Sequence, residues 1–287
     1  MNRRIAALLA ALVALVALAC KGGSDAGANQ GGDTPTGKPR TDLPSSMVAL
    51  GDSITAGFGS CLALTSCPRN SWATGDGTLV NSHYKRIRAG NPAIKGKAHN
   101  LSTAGAMVTD LPGQAAAAVG FQPEYVAVLI GANDACRPGI DQMTSKAEFA
   151  AQFSAALTTL RKGLPKARVL VVSIPDVYHV WELAHTRRSA QEVWALGVCQ
   201  ALLANPASTA AADNARRQKF RERVDQYDAA MAGACKDYGP RCRWDGGAAH
   251  GVAFTIDKLN TLDFFHPNSE GQTALASVTY PGSFTWG

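Results

Sequence analysis

The sequence predicts an α/β fold, a single domain built on a parallel sheet with helices on both faces. Three observations carry that expectation. The apolar runs Met47–Leu50, Tyr125–Ile130 and Arg168–Ile174 lack a regular polar alternation, as strands buried on both faces require. Longer stretches of helical character separate them, the pattern of strand–helix–strand units. The 287 residues are 46% hydrophobic and 17% charged, with a mean hydropathy of −0.06. That is enough apolar material for one sizeable core, and it is unlike a disordered, collagen-like or polytopic membrane chain.

Residues 1–19 have the form of an export leader. Arg3 and Arg4 precede an apolar run, Ile5–Ala19, which is too short for a comfortable membrane span but suits a signal sequence. Small residues then lead into Cys20, a junction that fits a bacterial lipoprotein with a lipidated Cys20 and also cleavage by an ordinary signal peptidase; lipidation is the preferred reading, giving a membrane anchor. Residues 20–44 hold few bulky apolar side chains and read as a flexible tether, which leaves 45–287 as the folded domain. Gly32 to Lys38 has the glycine and lysine spacing of a phosphate loop. Pro39 stands where Ser or Thr is required and no strand precedes it, so that motif is rejected.

Along the domain, Met47–Leu50 is a strand running into Gly51, Asp52 and Ser53. A helix is expected over 79–89, a weak strand over 97–102 and a helix over 108–119. Tyr125–Ile130 is the clearest strand, and a helix over 146–162 ends at Gly163 and Pro165. The strand 168–174 stops at Pro175. Helices follow over 193–204 and 213–236, and a last one starts near Ser269 with a capping-box pattern to Gln272.

Without Cys20, six cysteines remain: Cys61, Cys67, Cys136, Cys199, Cys235 and Cys242. An even count in an exported chain implies three disulfides, although six cysteines permit fifteen pairings. The close pairs Cys61/Cys67 and Cys235/Cys242 read as local staples, leaving Cys136 with Cys199. No Cys-x-x-Cys occurs and the histidines are scattered, so no metal site is expected. Leaving out Arg3 and Arg4 of the acid-free leader, 26 basic face 22 acidic residues, with no dense basic block; nucleic acid is not an expected partner.

Ligands of parallel sheets bind beyond the carboxyl ends of the strands, so the polar residues there are the place to look for chemistry. Ser53 follows the first strand on a tight turn into an expected helix, which exposes its hydroxyl. Asp263 and His266, three apart just before the last helix, supply a base and a partner to fix its tautomer. Asn133 follows the strongest strand, where its amide can donate to an oxyanion; Gly105 offers an unobstructed backbone N–H. Each signal alone is ordinary turn chemistry.

In order, and each at an expected strand end, these blocks resemble the SGNH/GDSL hydrolase (lipase/esterase) family. The Pro175–Tyr178 segment and the cysteine after Gly131–Asp134 are similar to its secreted, phospholipase-B-like branch. The resemblance implies a flavodoxin-like, three-layer α/β/α sandwich. It also implies ester hydrolysis through an acyl-enzyme, with no cofactor. By position, Ser53 corresponds to the nucleophile, His266 to the base and Asp263 to its partner. The Ser53 N–H, the Gly105 N–H and the Asn133 side chain correspond to the oxyanion hole. Asp134 is read as shaping the loop around Asn133. His83, His99, His179, His185 and His250 are read as surface or partly packed, and Tyr178, Trp181 and Trp194 as core more readily than pocket. The substrate implied is a lipid, an acetylated glycan or a small soluble ester. A rival is a non-catalytic lipoprotein that binds glycans or lipids on the same scaffold. An anion site at the Gly51–Ser53 turn ranks last, because Asp52 would repel phosphate.

Overall fold

The computed structural model describes residue 40 and residues 42–287. The leader, Cys20 and most of the tether lie outside the described residues. Packing begins slightly before residue 45: Leu43 is buried, and the Asn91 side-chain amide donates to the carbonyls of Leu43 and Pro44.

The described residues form strands β1 (Met47–Gly51), β2 (Ala98–Asn100), β3 (Tyr125–Leu129), β4 (Arg168–Val171) and β5 (Cys242–Trp244). The α-helices are α1 (His83–Gly90), α2 (Leu111–Gly120), α3 (Ala132–Ala135), α4 (Lys146–Gly163), α5 (Val177–Ala184), α6 (Arg188–Trp194), α7 (Gln200–Leu203), α8 (Ala211–Tyr238) and α9 (Ser269–Thr279). All strand pairings are parallel, in the order β2-β1-β3-β4-β5. This is the flavodoxin-like doubly wound order. The chain steps one way from β1 to β2 and the other way from β2 onward. With right-handed crossovers, that reversal sets α1 on one face and α2, α4 and α8 on the other. In agreement, α2 packs on α4 and α4 on α8, while α1 meets α9 through His83 and Thr279. The result is a three-layer sandwich.

Local chemistry explains the elements. Every residue of β1 and β3 is buried, the consequence of unbroken apolar runs in the middle of a covered sheet. Helix α4 starts where the Ser145 hydroxyl accepts from the Glu148 N–H, and it buries Phe149, Phe153, Ala156, Leu157 and Leu160 as one stripe. A side chain on Gly163 would collide with Val119, so glycine lets the end of α4 close against α2.

Four expectations need correction. Residues 52–62 form successive turns, not a helix, because Gly57 and Gly59 take φ of 65° and 76°. Helix α1 starts at residue 83, where Ser82 caps it, and not at 79. The helix read over 193–204 is two short helices parted by Gly197 (φ 111°) and by Cys199 in a left-handed conformation. The strand read to residue 174 ends at 171.

Three disulfides join Cys61 to Cys67, Cys136 to Cys199 and Cys235 to Cys242, the pairing favoured by spacing. No described helix is long and apolar enough to cross a membrane.

One histidine read as surface or partly packed is a core residue. His83 is fully buried, 3.0 Å from the Tyr125 hydroxyl on one side and 3.0 Å from the Thr279 hydroxyl on the other. Burial, with a smaller contribution from Arg86, lowers its pKa to about 3. The unfolded chain takes up this proton below about pH 6.5 and the folded one does not, so the His83 contribution to stability is complete above pH 6.5 and lost as pH falls toward 3. Chemical denaturation of wild type and His83→Gln should therefore converge on acidification. The wild type loses about 1.4 kcal/mol per pH unit relative to the variant across that window; a pH-independent difference contradicts the assignment.

Candidate active site

The strand order reverses between β1 and β3, and a crevice opens beyond their carboxyl ends. Both strands end in a glycine-containing turn. Gly51 closes β1 at φ 145°, where a side chain would collide with the Leu129 carbonyl oxygen of β3. Gln114 of α2 fixes this glycine from both sides: its amide oxygen accepts from the Gly51 N–H (2.7 Å) and its nitrogen donates to the Gly51 carbonyl (2.9 Å). Ser53 therefore leaves the sheet from a rigid point, 7% exposed.

The second half of the site comes from residues 259–267. Asn260 donates its N–H to the His266 carbonyl (2.8 Å), and the Phe264 N–H donates to the Asn260 carbonyl (2.8 Å). Asp263 Oδ1 accepts from the N–H groups of Phe265 (2.9 Å) and His266 (3.0 Å). This network holds Phe264 at φ 51°, a left-handed conformation that is uncommon for a bulky residue. Trp194 donates its indole N–H to the Asp263 carbonyl (3.0 Å), which gives this buried side chain a bracing role.

The loop so held aims His266 across the crevice. Its Nδ1 lies 2.7 Å from Asp263 Oδ2, and its Nε2 lies 3.0 Å from Ser53 Oγ. With the Nδ1–H donating to the carboxylate, Nε2 is the acceptor for the serine O–H. The Phe58 ring packs on the imidazole at 4.7 Å between centroids. Nothing in the spacing of Phe58 or Asn260 pointed to these contacts; both serve the loop geometry.

Asn133 lies on α3, directly after β3. Its amide nitrogen donates one proton to the Ala106 carbonyl (3.0 Å), leaving the other N–H free for a ligand. It shares with Ser53 and His266 the polar side of a cavity of about 30 Å³, whose apolar side includes Ile54, Val180 and Phe254. Gly105 (φ 83°) is exposed beside Ala106 and does not line that cavity. Its N–H donates to no group among the described residues. Asp134 braces the same loops: its carboxylate accepts from the Val108 N–H (2.9 Å) and the Thr144 hydroxyl (2.7 Å), and burial raises its pKa to about 6.

Of the other histidines, His250 sits 3.4 Å from Asp228 and is pushed up to about 9 by that carboxylate, and His179 pairs with Glu182. His99 packs against Phe121 at a tilt and His185 stacks on Trp181. Tyr178 and Trp181 carry Arg221 and Arg217 over their rings and do not line the cavity.

Residues 49–274 match the GDSL-like lipase/acylhydrolase family. The chain belongs to that family. Membership makes it a carboxylic ester hydrolase, and the matched span contains every site residue described above. Among solved structures it is similar to a catalytic mutant of an acetylxylan esterase from Geobacillus stearothermophilus. The identity there is 18%, with 81% of this chain and 91% of that one covered and a TM-score of 0.50. It is also similar to a Parabacteroides merdae protein assigned as a GDSL-like lipase, with 16% identity, coverage of 84% and 96%, and a TM-score of 0.51. At such identities the likeness establishes a shared fold. A sequence search of curated proteins finds no match.

The GDSL signature in this chain includes an unusual carboxyl group. Asp52 is fully buried; its Oδ1 accepts from the Ile54 N–H (2.9 Å) and its Oδ2 has no partner. Burial raises its pKa from 3.8 to about 7. The folded chain thus holds a proton that the unfolded chain has released, and stability from this group, complete below pH 3.8, is lost as pH rises toward 7. Asp52→Asn, which cannot ionise, should gain stability relative to wild type by about 1.4 kcal/mol per pH unit between pH 4 and 7. Urea melts at pH 4 and 7 test this; an Asn variant that falls behind as pH rises contradicts it.

Proposed function

We propose that the protein is an exported serine esterase that works through an acyl-enzyme on Ser53. The observation that carries this reading is the pair of contacts on one imidazole: Ser53 Oγ at 3.0 Å and Asp263 Oδ2 at 2.7 Å. Asp263 orients the ring and stabilises the charge it acquires. His266 Nε2 takes the Ser53 proton as Oγ bonds to the ester carbonyl carbon, and the carbonyl π-electrons move to oxygen. The Asn133 N–H, the Ser53 N–H and the Gly105 N–H are the donors to that oxyanion. Collapse breaks the ester C–O bond, and the leaving alkoxide takes the proton from His266. Water then gives a proton to His266 and attacks the acyl carbon; the second collapse returns that proton to Ser53 and releases the acid.

The cavity beside Ser53 is small, about 30 Å³, which favours a short acyl group over a long one in an ester substrate. Extracellular lipids, acetylated glycans and small soluble esters all contain such a bond. Export is supported by the six cysteines of the described domain, all paired, which suits an oxidising compartment. A lipid anchor at Cys20 follows from the leader sequence and is tested by incorporation of radiolabelled palmitate into wild type but not Cys20→Ala.

Ser53→Ala and His266→Ala should each remove nearly all hydrolysis of p-nitrophenyl acetate, with thermal melting close to wild type. Asn133→Ala should lower kcat on the order of 10²–10³-fold. A fluorophosphonate probe should label wild type and not Ser53→Ala, since only an activated serine reacts; an unlabelled wild type would instead favour a binding protein on this scaffold.

A further inference from the structure

We propose that a leucine-walled groove beside His266 binds the alkyl chain of the leaving alcohol, so that the preferred substrates are short-acyl esters of long-chain aliphatic alcohols. This rests on the serine-esterase reading above and adds to it the chemistry of the group that leaves.

The groove has a volume of about 780 Å³, within the range of small-molecule sites. It is lined by the segments Gly59–Leu62 and Leu259–Leu262 and by Leu79, with polar groups such as Asn70, Asn268 and Ser269 completing the lining. Leu62 is 96% exposed, Leu79 66% and Leu262 48%, and Leu64 on the same loop as Leu62 is 48% exposed. Three of the seven large hydrophobic side chains exposed among the described residues, Leu62, Leu79 and Leu262, thus line one groove, and clustered exposed apolar surface marks a binding region. The charged lining residues are Arg69 and Glu270, one of each sign, so the groove selects no net charge.

These leucines are held in water by a fixed frame. The Cys61–Cys67 disulfide closes the loop that carries Leu62, and the Asn70 side chain donates to the Ser60 carbonyl (2.9 Å) and to Cys61 Sγ (3.3 Å). The Asn260 amide donates to the Gly59 carbonyl, which ties the two walls to each other. A site so prearranged loses little freedom when a chain lies down in it.

The position of the groove names its occupant. Leu259 lines both the groove and the small cavity at Ser53, so the two spaces share a wall. One wall runs on into Asp263 and His266, and the other begins next to Phe58, which packs on the imidazole. The leaving oxygen takes its proton from His266, so the alcohol departs on the imidazole side. The acyl group stays toward the Asn133 and Val180 side of the small cavity, opposite the His266 and Leu259 side where it adjoins the groove.

The test is a series of n-alkyl acetates, ethyl to octyl, kept below their solubility limits. With the wild-type chain, kcat/KM should rise with alcohol length by on the order of tenfold or more, as expected when several methylenes are buried. Leu62→Ser combined with Leu79→Ser should flatten the octyl-to-ethyl ratio; both side chains are exposed, and an unchanged Tm shows that the fold is intact. Calorimetric titration of the Ser53→Ala protein with n-octanol should give saturable binding that the two substitutions abolish. A flat series in the wild type, or a ratio that survives the substitutions, overturns the proposal. A dependence on acyl length alone, in p-nitrophenyl esters from acetate to octanoate, does so too. If the substitutions instead abolish binding to phosphatidylglycerol vesicles and leave the alkyl series unaltered, the leucines serve a lipid surface and the proposal fails. Absence of turnover for every ester would count against the serine-esterase reading, and the octanol titration would still decide the groove.

Discussion

The site depends on one contact, the 3.0 Å approach of His266 Nε2 to Ser53 Oγ across a sequence separation of 213 residues. No regular element spans that distance, so the chain must be closed by other means. Gln272 on α9 is fully buried and bonds twice to the segment after β1, accepting from the Trp72 N–H (2.8 Å) and donating to the Ile54 carbonyl (2.9 Å). Asn260 reaches the Gly59 carbonyl from the other end of the same loop. These side-chain bonds replace a sheet ladder as the register between the two halves of the site. Each lies in a buried place, where leaving a partner unmatched costs the full desolvation of the group.

The polar groups packed beneath the site follow the opposite logic. Asp52 and Asp134 are carboxyls in an apolar setting, and burial raises both pKa values, to about 7 and about 6. Asp134 satisfies its two oxygens with Val108 and Thr144 and so joins three loops at the end of β3. Asp52 satisfies one oxygen and leaves the other unmatched beside the nucleophile. Below about pH 7, where it is mainly protonated, Asp52 spares the crevice a negative charge next to the place where an oxyanion forms. The more exposed carboxylate pairs, such as Arg188 with Glu192, contribute little by comparison.

Much of this arrangement is legible in the amino-acid order, and the parts that are not have a common cause. The runs 47–50 and 125–130 read as strands because burial on both faces leaves no polar residue in them. Ser53 and Asn133 stood out because they follow expected strands with turn residues around them, and His266 because it lies three residues after Asp263, just before the expected last helix. Strand β5 went unread: its three residues, Cys242–Trp244, are partly exposed at the sheet edge and carry no apolar run. Helix α5 was readable, since Val177, Val180, Trp181 and Ala184 fall at helical spacing behind Asp176, whose side chain caps the helix by accepting from the His179 N–H. The stop at Pro175 drew the expected strand too far and hid the helix that followed. The break at Cys199 and the burial of His83 are tertiary outcomes, which local pattern does not encode.

The distribution of disulfides follows from where order is hardest to obtain. Between β1 and α1 the chain runs through residues 52–82 with only the short turn Pro68–Asn70 as regular structure, a length unusual for a connection inside a compact domain. Such a segment has few ladder bonds to oppose its chain entropy. The Cys61–Cys67 bridge lies in its middle, and the Cys136–Cys199 bridge ties the end of α3, three residues beyond Asn133, to the start of α7. Both act on loops at the carboxyl ends of the strands, where the sheet itself no longer dictates position. The sheet fixes where Ser53 and Asn133 leave it, and cross-links and buried amides fix what surrounds them. The Ser53–His266 contact therefore needs both, the sheet to place the serine and the tied loops to place the imidazole.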